Sequence, residues 1–300
     1  MIKVAVVGAT GFVGCALLKL LEKHSEVDIG LITSTSHVGK PLSELQEEFS
    51  GTPLGNLVLS VQDPALINQQ DVAFLAVPHG TAEALAKNLT CKVIDLSADQ
   101  RLTAVYGLPE AFSKQISHAQ IVGNPGCYAT ACILAALPLK NHLKSCVFDC
   151  ISGYSGAGKN AHEKFNYAEN IIAYHLADHL HLPEIKKALG CSVSFTPHVV
   201  NAFSGLMCTA HLNLKETLSL EAVQSLYESF YKDGFTTAVS HIPSTKEVVG
   251  TPFCHIGGFA KDENGLVVVS VIDNLMKGAA SQAIENFNLM FGFNLKEGLL

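Results

Sequence analysis

Short apolar runs recur through the first half of the chain, each ended by a polar or glycine-rich break. Ile2–Val7 is rich in β-branched residues, the composition of a parallel strand buried on both faces. Gly8-Ala9-Thr10-Gly11-Phe12-Val13-Gly14 follows, and Cys15–Leu21 then carries apolar residues at helical spacing. Val27–Ile32, Val72–Val77 and Val93–Leu96 predict further strands, with a helix-like run at Thr81–Leu89. Strand alternating with helix predicts a doubly wound parallel sheet, whose ligands bind at the carboxyl ends of the strands. A last run, Ala119–Val122, leads through Gly123-Asn124-Pro125-Gly126-Cys127-Tyr128 into a helix over Ala129–Leu137. There Asn124 is the expected N-cap and Pro125 the expected first helical residue.

The pattern then changes. Strand-like runs at Cys146–Ile151, Ser192–Phe195 and Met207–Leu214 surround one clear amphipathic helix, Leu220–Tyr231. A hairpin is expected from Gly257–Ala260 and Leu266–Ile272 around Lys261-Asp262-Glu263-Asn264-Gly265. The last helix, expected over Asn274–Phe291, returns to the first domain. The fold class is therefore α/β: a Rossmann-type domain with a doubly wound parallel sheet, and a second α+β domain with a mixed or antiparallel sheet. The expected division is 1–126 with 274–300 for dinucleotide binding, and 127–273 for catalysis and dimerisation.

Composition narrows the partners. The chain has 20 basic and 27 acidic residues, a formal net charge of −7, and no basic cluster, which argues against nucleic acid. No apolar run reaches the length of a membrane span, and the first strand leaves no room for a signal peptide. Nine cysteines without a CxxC pair suit free thiols in a reducing cytoplasm.

Strand, glycine turn and helix in succession are the dinucleotide-binding arrangement, here spaced GxxGxxG where the commoner fingerprint is GxGxxG. The strand ending in Thr33-Ser34-Thr35-Ser36 lacks the acidic residue that grips a ribose 2′-hydroxyl, which favours NADP over NAD. Cys127 falls within the first turn of its helix, where free N–H groups and the positive helix end favour a nucleophilic thiolate; a buried structural thiol is the competing reading. Gly153-Tyr154-Ser155-Gly156-Ala157-Gly158-Lys159-Asn160 has phosphate-loop spacing but ends in Asn160 where a magnesium-binding Ser or Thr belongs, so a glycine loop over an anion or cofactor is preferred. His175, His179 and His181 with Asp178 and Glu184 form the densest titratable cluster. It is open to two readings: a zinc site, or a general acid/base for Cys127 with His181 held just before a helix starting near Pro183.

Taken together, Gly8–Gly14, Leu75–Gly80, Asp95–Asp99, Asn124–Tyr128, Ser152–Gly158, His179–Ile185 and Asp273–Ala280 resemble, in this order, the motifs of the N-acetyl-γ-glutamyl-phosphate reductase family of the semialdehyde dehydrogenase group. The resemblance implies an NADPH-dependent, cytoplasmic, homodimeric or homotetrameric enzyme that reduces an acyl phosphate to an aldehyde, without a metal. It puts the nucleophile on Cys127 and the acid/base on His181, with Glu184, Arg101, Ser152, His179 and His198 near the substrate. Cofactor contacts are implied at Gly8, Thr10, Gly11, Phe12, Val13, Gly14, Ser34, Ser36, Pro78, Gly156, Ala157, Gly158 and Asn274. Gln100 and Lys159 stand where the family commonly has Phe and Arg, and Ser204 precedes Gly205 where it usually has an arginine. Aspartate-semialdehyde dehydrogenase, a carrier-linked aminoadipyl-phosphate reductase and a non-catalytic NADP-sensing module are the alternatives.

Overall fold

A computed structural model describes residues 1–159, 161, 169–263 and 265–300. Asn160, most of the polar stretch after it, and Asn264 in the expected hairpin turn lie outside the described residues. The chain forms two compact units, 1–125 with 279–300 and 126–278. In chain order the strands are β1 (Ile2–Val7), β2 (Val27–Thr33), β3 (Val72–Leu75), β4 (Lys92–Asp95), β5 (Val105–Tyr106), β6 (Ile121–Gly123), β7 (Leu143–Gly153), β8 (Ile171–Ala173), β9 (Ser192–Val200), β10 (Leu206–Leu214), β11 (Thr236–Ala238), β12 (Cys254–Asp262) and β13 (Gly265–Ile272). The helices are α1 (Phe12–Leu21), α2 (Pro64–Ile67), α3 (Ala82–Ala86), α4 (Pro109–Ile116), α5 (Cys127–Ala136), α6 (Leu182–Leu189), α7 (Leu220–Phe230) and α8 (Ser281–Phe291).

The first unit is built on a wholly parallel sheet of order β2-β1-β3-β4-β6-β5. Val4 to Val7 and Val72 to Leu75 are fully buried, as strands covered on both faces must be. β2 and β3 flank β1 on opposite sides, so the strand order reverses between β1 and β3, and their carboxyl ends frame the switch point where doubly wound sheets bind ligands. α8 returns to this unit. Its fully buried Phe287 packs on Phe74 at 5.9 Å and on His24 at 5.2 Å between ring centroids.

The second unit holds a mixed seven-stranded sheet, β11-β12-β13-β10-β7-β9-β8, in which only β11–β12 and β7–β9 run parallel. Helix α5 lies on this sheet and buries every residue from Tyr128 to Ala136. All-round burial explains why its apolar residues form no single stripe. Tyr227 and Tyr231, from α7, send their hydroxyls to the Ala135 and Leu134 carbonyls at the C-terminal end of α5, at 2.5 and 2.7 Å. Those carbonyls otherwise lack intrahelical partners.

Two expected elements differ. Helix α5 starts at Cys127 with Gly126 as N-cap, so Asn124 does not cap it. The Asn124 side chain is committed elsewhere, donating to the Ala279 carbonyl at 3.1 Å and accepting from Asn286 at 2.9 Å. The run Asn274–Phe291 is helical from Met276 onward, but its first turn, Met276–Ala280, is a π-helix that leads directly into α8. Asp273 dictates that turn: its carboxylate accepts from Leu275 and Met276 N–H at 2.7 and 3.1 Å, and its carbonyl accepts from Gly278 at 2.9 Å.

Replacing Phe287 by Ala leaves a cavity between α8 and β3 and costs about 3–5 kcal/mol. A lowered urea midpoint and faster amide exchange in β3 and α8 are the expected readouts.

Candidate active site

Cys127 is the first residue of α5 and is half-buried, whereas seven of the other eight cysteines are buried. Position 126 is what brings groups to it. A Cβ at Gly126 would run into the His181 ring, overlapping Nε2 and lying 2.5 Å from both Cδ2 and Cε1. The imidazole of His181 therefore rests directly on the backbone next to Cys127. His181 is itself the N-cap of α6 and is 8% exposed. Three positions on, Glu184 is 2% exposed and its carboxylate accepts the Gly126 N–H at 3.3 Å. A carboxylate in the first turn of a helix is favoured by the helix dipole, so α6 holds Glu184 while Glu184 holds the start of α5.

Aromatic packing fixes the histidine. The Tyr128 ring meets His179, His181 and Phe195 at 5.6, 5.8 and 5.5 Å, and His179 lies edge-on to His181 at 4.6 Å. His179 Nδ1 accepts the His181 N–H at 3.1 Å, which puts a neutral His179 in its Nε2–H form. Tyr128 donates to the His198 carbonyl at 2.8 Å and receives Tyr174 at 3.3 Å, while His198 Nδ1 lies 3.1 Å from the Cys150 carbonyl. Burial pushes both phenols up, Tyr174 to about 12 and Tyr128 beyond it. Both stay neutral near pH 7 and serve as packing and hydrogen-bonding groups. His175 and His179, from the same titratable cluster, do not share a helix face. His175 has φ +46°, bonds to Asp178 at 3.1 Å, and its ring is 6.1 Å from that of His179.

The glycine loop also reaches Cys127. A Cβ on Gly156 would lie 4.0 Å from the Cys127 sulfur and 3.8 Å from Ser152 Oγ. Ser152 Oγ donates to the Gly153 carbonyl, Ala157 ends a short 3-10 turn, and Gly158 leaves it with φ +82°. Asn274 ties this loop down, donating to Ser155 Oγ at 2.8 Å and accepting the Gly205 N–H at 2.9 Å. Gly278 was not singled out in the sequence, yet its absent side chain is required: a Cβ there would sit 2.7 Å from that of Cys127. Tyr128 and Tyr174 were likewise missed, because nothing in their spacing points to the histidines they contact.

Within the first unit, Gly8 to Gly11 form the turn between β1 and α1 at the switch point, and Gly14 lies in the first turn of α1. Gly8 has φ +88° and a Cβ there would collide with the Ala76 carbonyl, while one on Gly14 would collide with Gly8 itself. A Cβ on Gly11 would meet nothing closer than the Gly8 carbonyl at 3.6 Å. The turn is thus a cradle that a side chain would fill, and it fits a dinucleotide pyrophosphate approaching the first turn of α1 at Phe12 and Val13. Thr10 lies inside it, and its carbonyl accepts Gln46 at 2.9 Å. At the end of β2 the buried Ser34 accepts the Ser36 N–H at 3.3 Å, with no carboxylate in that turn. Pro78 follows β3, and the adjoining motifs lock together through Ala98 N–H to His79 and Gly80 N–H to Asp99 at 2.9 and 2.7 Å. Buried Arg101 donates Nε to the Asn124 carbonyl at 3.0 Å, and so steadies the run that leads to Cys127. Asp95 organises the backbone before it, accepting Ser97 and Gln100 N–H at 2.8 and 3.0 Å; burial nonetheless pushes its carboxyl up.

Residues 3–119 match the semialdehyde dehydrogenase NAD binding domain, and residues 127–274 match the semialdehyde dehydrogenase dimerisation domain. An N-acetyl-gamma-glutamyl-phosphate reductase from Methanosarcina acetivorans is 42% identical, over 99% of this chain and 98% of its own. One from a Thermoanaerobacter species is 38% identical over 100% and 98%. Among solved structures, aspartate semialdehyde dehydrogenase with NADP from Candida albicans has a TM-score of 0.81 at 15% identity, covering 97% of this chain and 99% of that one. Aspartate semialdehyde dehydrogenase II complexed with ASA from Vibrio cholerae has a TM-score of 0.78 at 20% identity, over 97% and 98%. The chain belongs to the N-acetyl-γ-glutamyl-phosphate reductase family of semialdehyde dehydrogenases.

Proposed function

We propose that this chain reduces N-acetylglutamyl phosphate to N-acetylglutamate semialdehyde with release of phosphate, as a step of arginine biosynthesis in the cytoplasm. The observation that carries the catalytic assignment is the His181 ring seated on Gly126, beside a half-exposed Cys127 at a helix N-terminus. Cys127 is the nucleophile. Its sulfur attacks the acyl carbon, the carbon–oxygen bond to phosphate breaks, and the acyl group is held as a thioester. NADPH, when bound, supplies the hydride that takes the thioester to the aldehyde level. The resulting hemithioacetal collapses, the carbon–sulfur bond breaks, and Cys127 leaves as a thiolate. His181 accepts the thiol proton as attack begins and returns it when the thiolate leaves. Backbone N–H groups at the start of α5 stabilise the oxyanion that develops on the acyl oxygen.

Supporting roles follow from the contacts. Glu184 and His179 hold the Gly126 and His181 backbones and border the substrate, while Ser152 and His198 line the same region of the second unit. The cofactor is NADP(H), held in the first unit by Gly8 to Gly14, Ser34, Ser36 and Pro78. The missing acidic residue after β2 supports NADP. The dimerisation-domain match supports assembly as a homodimer or homotetramer.

Three variants test this reading. Cys127→Ala abolishes phosphate-dependent, NADP-linked oxidation of the semialdehyde; retained activity removes Cys127 from the mechanism. His181→Asn lowers turnover by roughly 10²–10⁴-fold with NADPH affinity unchanged in fluorescence titration, and a small effect transfers the proton role to another histidine. Gly126→Ala displaces the His181 ring and lowers kcat by roughly a hundredfold, whereas thermal stability measured by calorimetry changes far less.

A further inference from the structure

Nine free thiols leave a cluster that catalysis does not use. Cys150 on β7 and Cys208 on β10 stand directly opposite each other in the antiparallel pair. Cys132 on α5 lies over both, its sulfur 3.5 Å from Cys150 and 3.7 Å from Cys208. All three are fully buried, and their sulfur atoms all lie within 4.8 Å of one another. Among the described residues no histidine, carboxylate or further cysteine joins this group.

The spacing is that of metal ligands. A zinc–thiolate bond of about 2.3 Å in a tetrahedral site places sulfurs ~3.8 Å apart, so the trio already occupies three corners of such a set. What the cluster lacks is a fourth corner, and what it cannot tolerate is charge. A divalent ion on three thiolates leaves one negative charge, and a monovalent ion leaves two, in a core where unpaired charge is strongly unfavourable. A trivalent thiophilic ion leaves none. We propose that Cys132, Cys150 and Cys208 form a buried three-thiolate site for a trivalent ion of the arsenite class. Arsenous acid exchanges its three hydroxyl groups for three sulfurs; each thiol proton departs with one hydroxyl as water, and no electron is transferred. The complex is neutral and pyramidal, and it matches three buried sulfurs that already lie in contact.

Occupancy joins α5 to β7 and β10, and α5 carries Cys127 at its first position. The site thereby couples the catalytic helix to a thiophilic toxicant while Cys127 itself stays unmodified. Because the trio is fully buried, uptake is limited by local opening and is slow in the folded chain.

The test uses the reduced full chain incubated with sodium arsenite and desalted. Elemental analysis is expected to find one arsenic per chain, and X-ray absorption three sulfurs around it. Cys150→Ala loses that arsenic. Cys191→Ala retains it, although Cys191 forms a second thiol pair with Cys146 at 3.7 Å. Arsenic bound by only two sulfurs, full retention in Cys150→Ala, or no binding overturns the proposal, and so does zinc alone binding more tightly than arsenite. If Cys150→Ala does not fold, the sulfur count in the unaltered chain decides.

Discussion

No side chain larger than hydrogen fits at position 126, and the second unit is arranged around that fact. The missing Cβ lets the His181 imidazole rest on the backbone beside Cys127. The N–H of the same residue is taken by the carboxylate of Glu184. Two helix starts, α5 and α6, thus meet at Gly126, the residue before Cys127. The contact holds the imidazole of His181 against the backbone beside that thiol. A second missing side chain, at Gly278, gives Cys127 its room from another direction.

The first unit solves a different problem with the same device. Gly8 and Gly14 are small because protein backbone approaches them, whereas Gly11 is small because space beside it is left open. The serine-rich end of β2 offers hydroxyls and no carboxylate, the composition that goes with NADP over NAD. The alternation of strand and helix matters here mainly because it delivers the turn to the switch point between β1 and β3.

The cysteines show how far environment outweighs residue type. Cys127 and Cys132 share one helix, five positions apart, yet the first is half-exposed at a helix N-terminus and the second is sealed among other thiols. One sits where attack on an acyl group is possible. The other has only sulfur for polar company, and its chemistry is that of a ligand.

Periodicity and glycine spacing are local properties, so the sequence by itself determined the parallel sheet, the β1–α1 turn, the mixed second sheet and the placement of Cys127 at a helix start. It also placed His181 just before a helix, because Pro183 and Glu184 announce one there. The N-cap of α5 was misread, since Asn124 has the right chemistry but its side chain is taken by Ala279 and Asn286, far along the chain. The π-helical turn before α8 was invisible for a similar reason: Asp273 takes the N–H groups of Leu275, Met276 and Gly278, and apolar spacing does not record that. Only tertiary structure decided that His181 lies against Gly126, that Gly278 makes room for Cys127, and that Cys132, Cys150 and Cys208 meet. Each of these joins residues from separate elements, and spacing along the chain carries no information about such contacts until the sheet registers and helix packing are set.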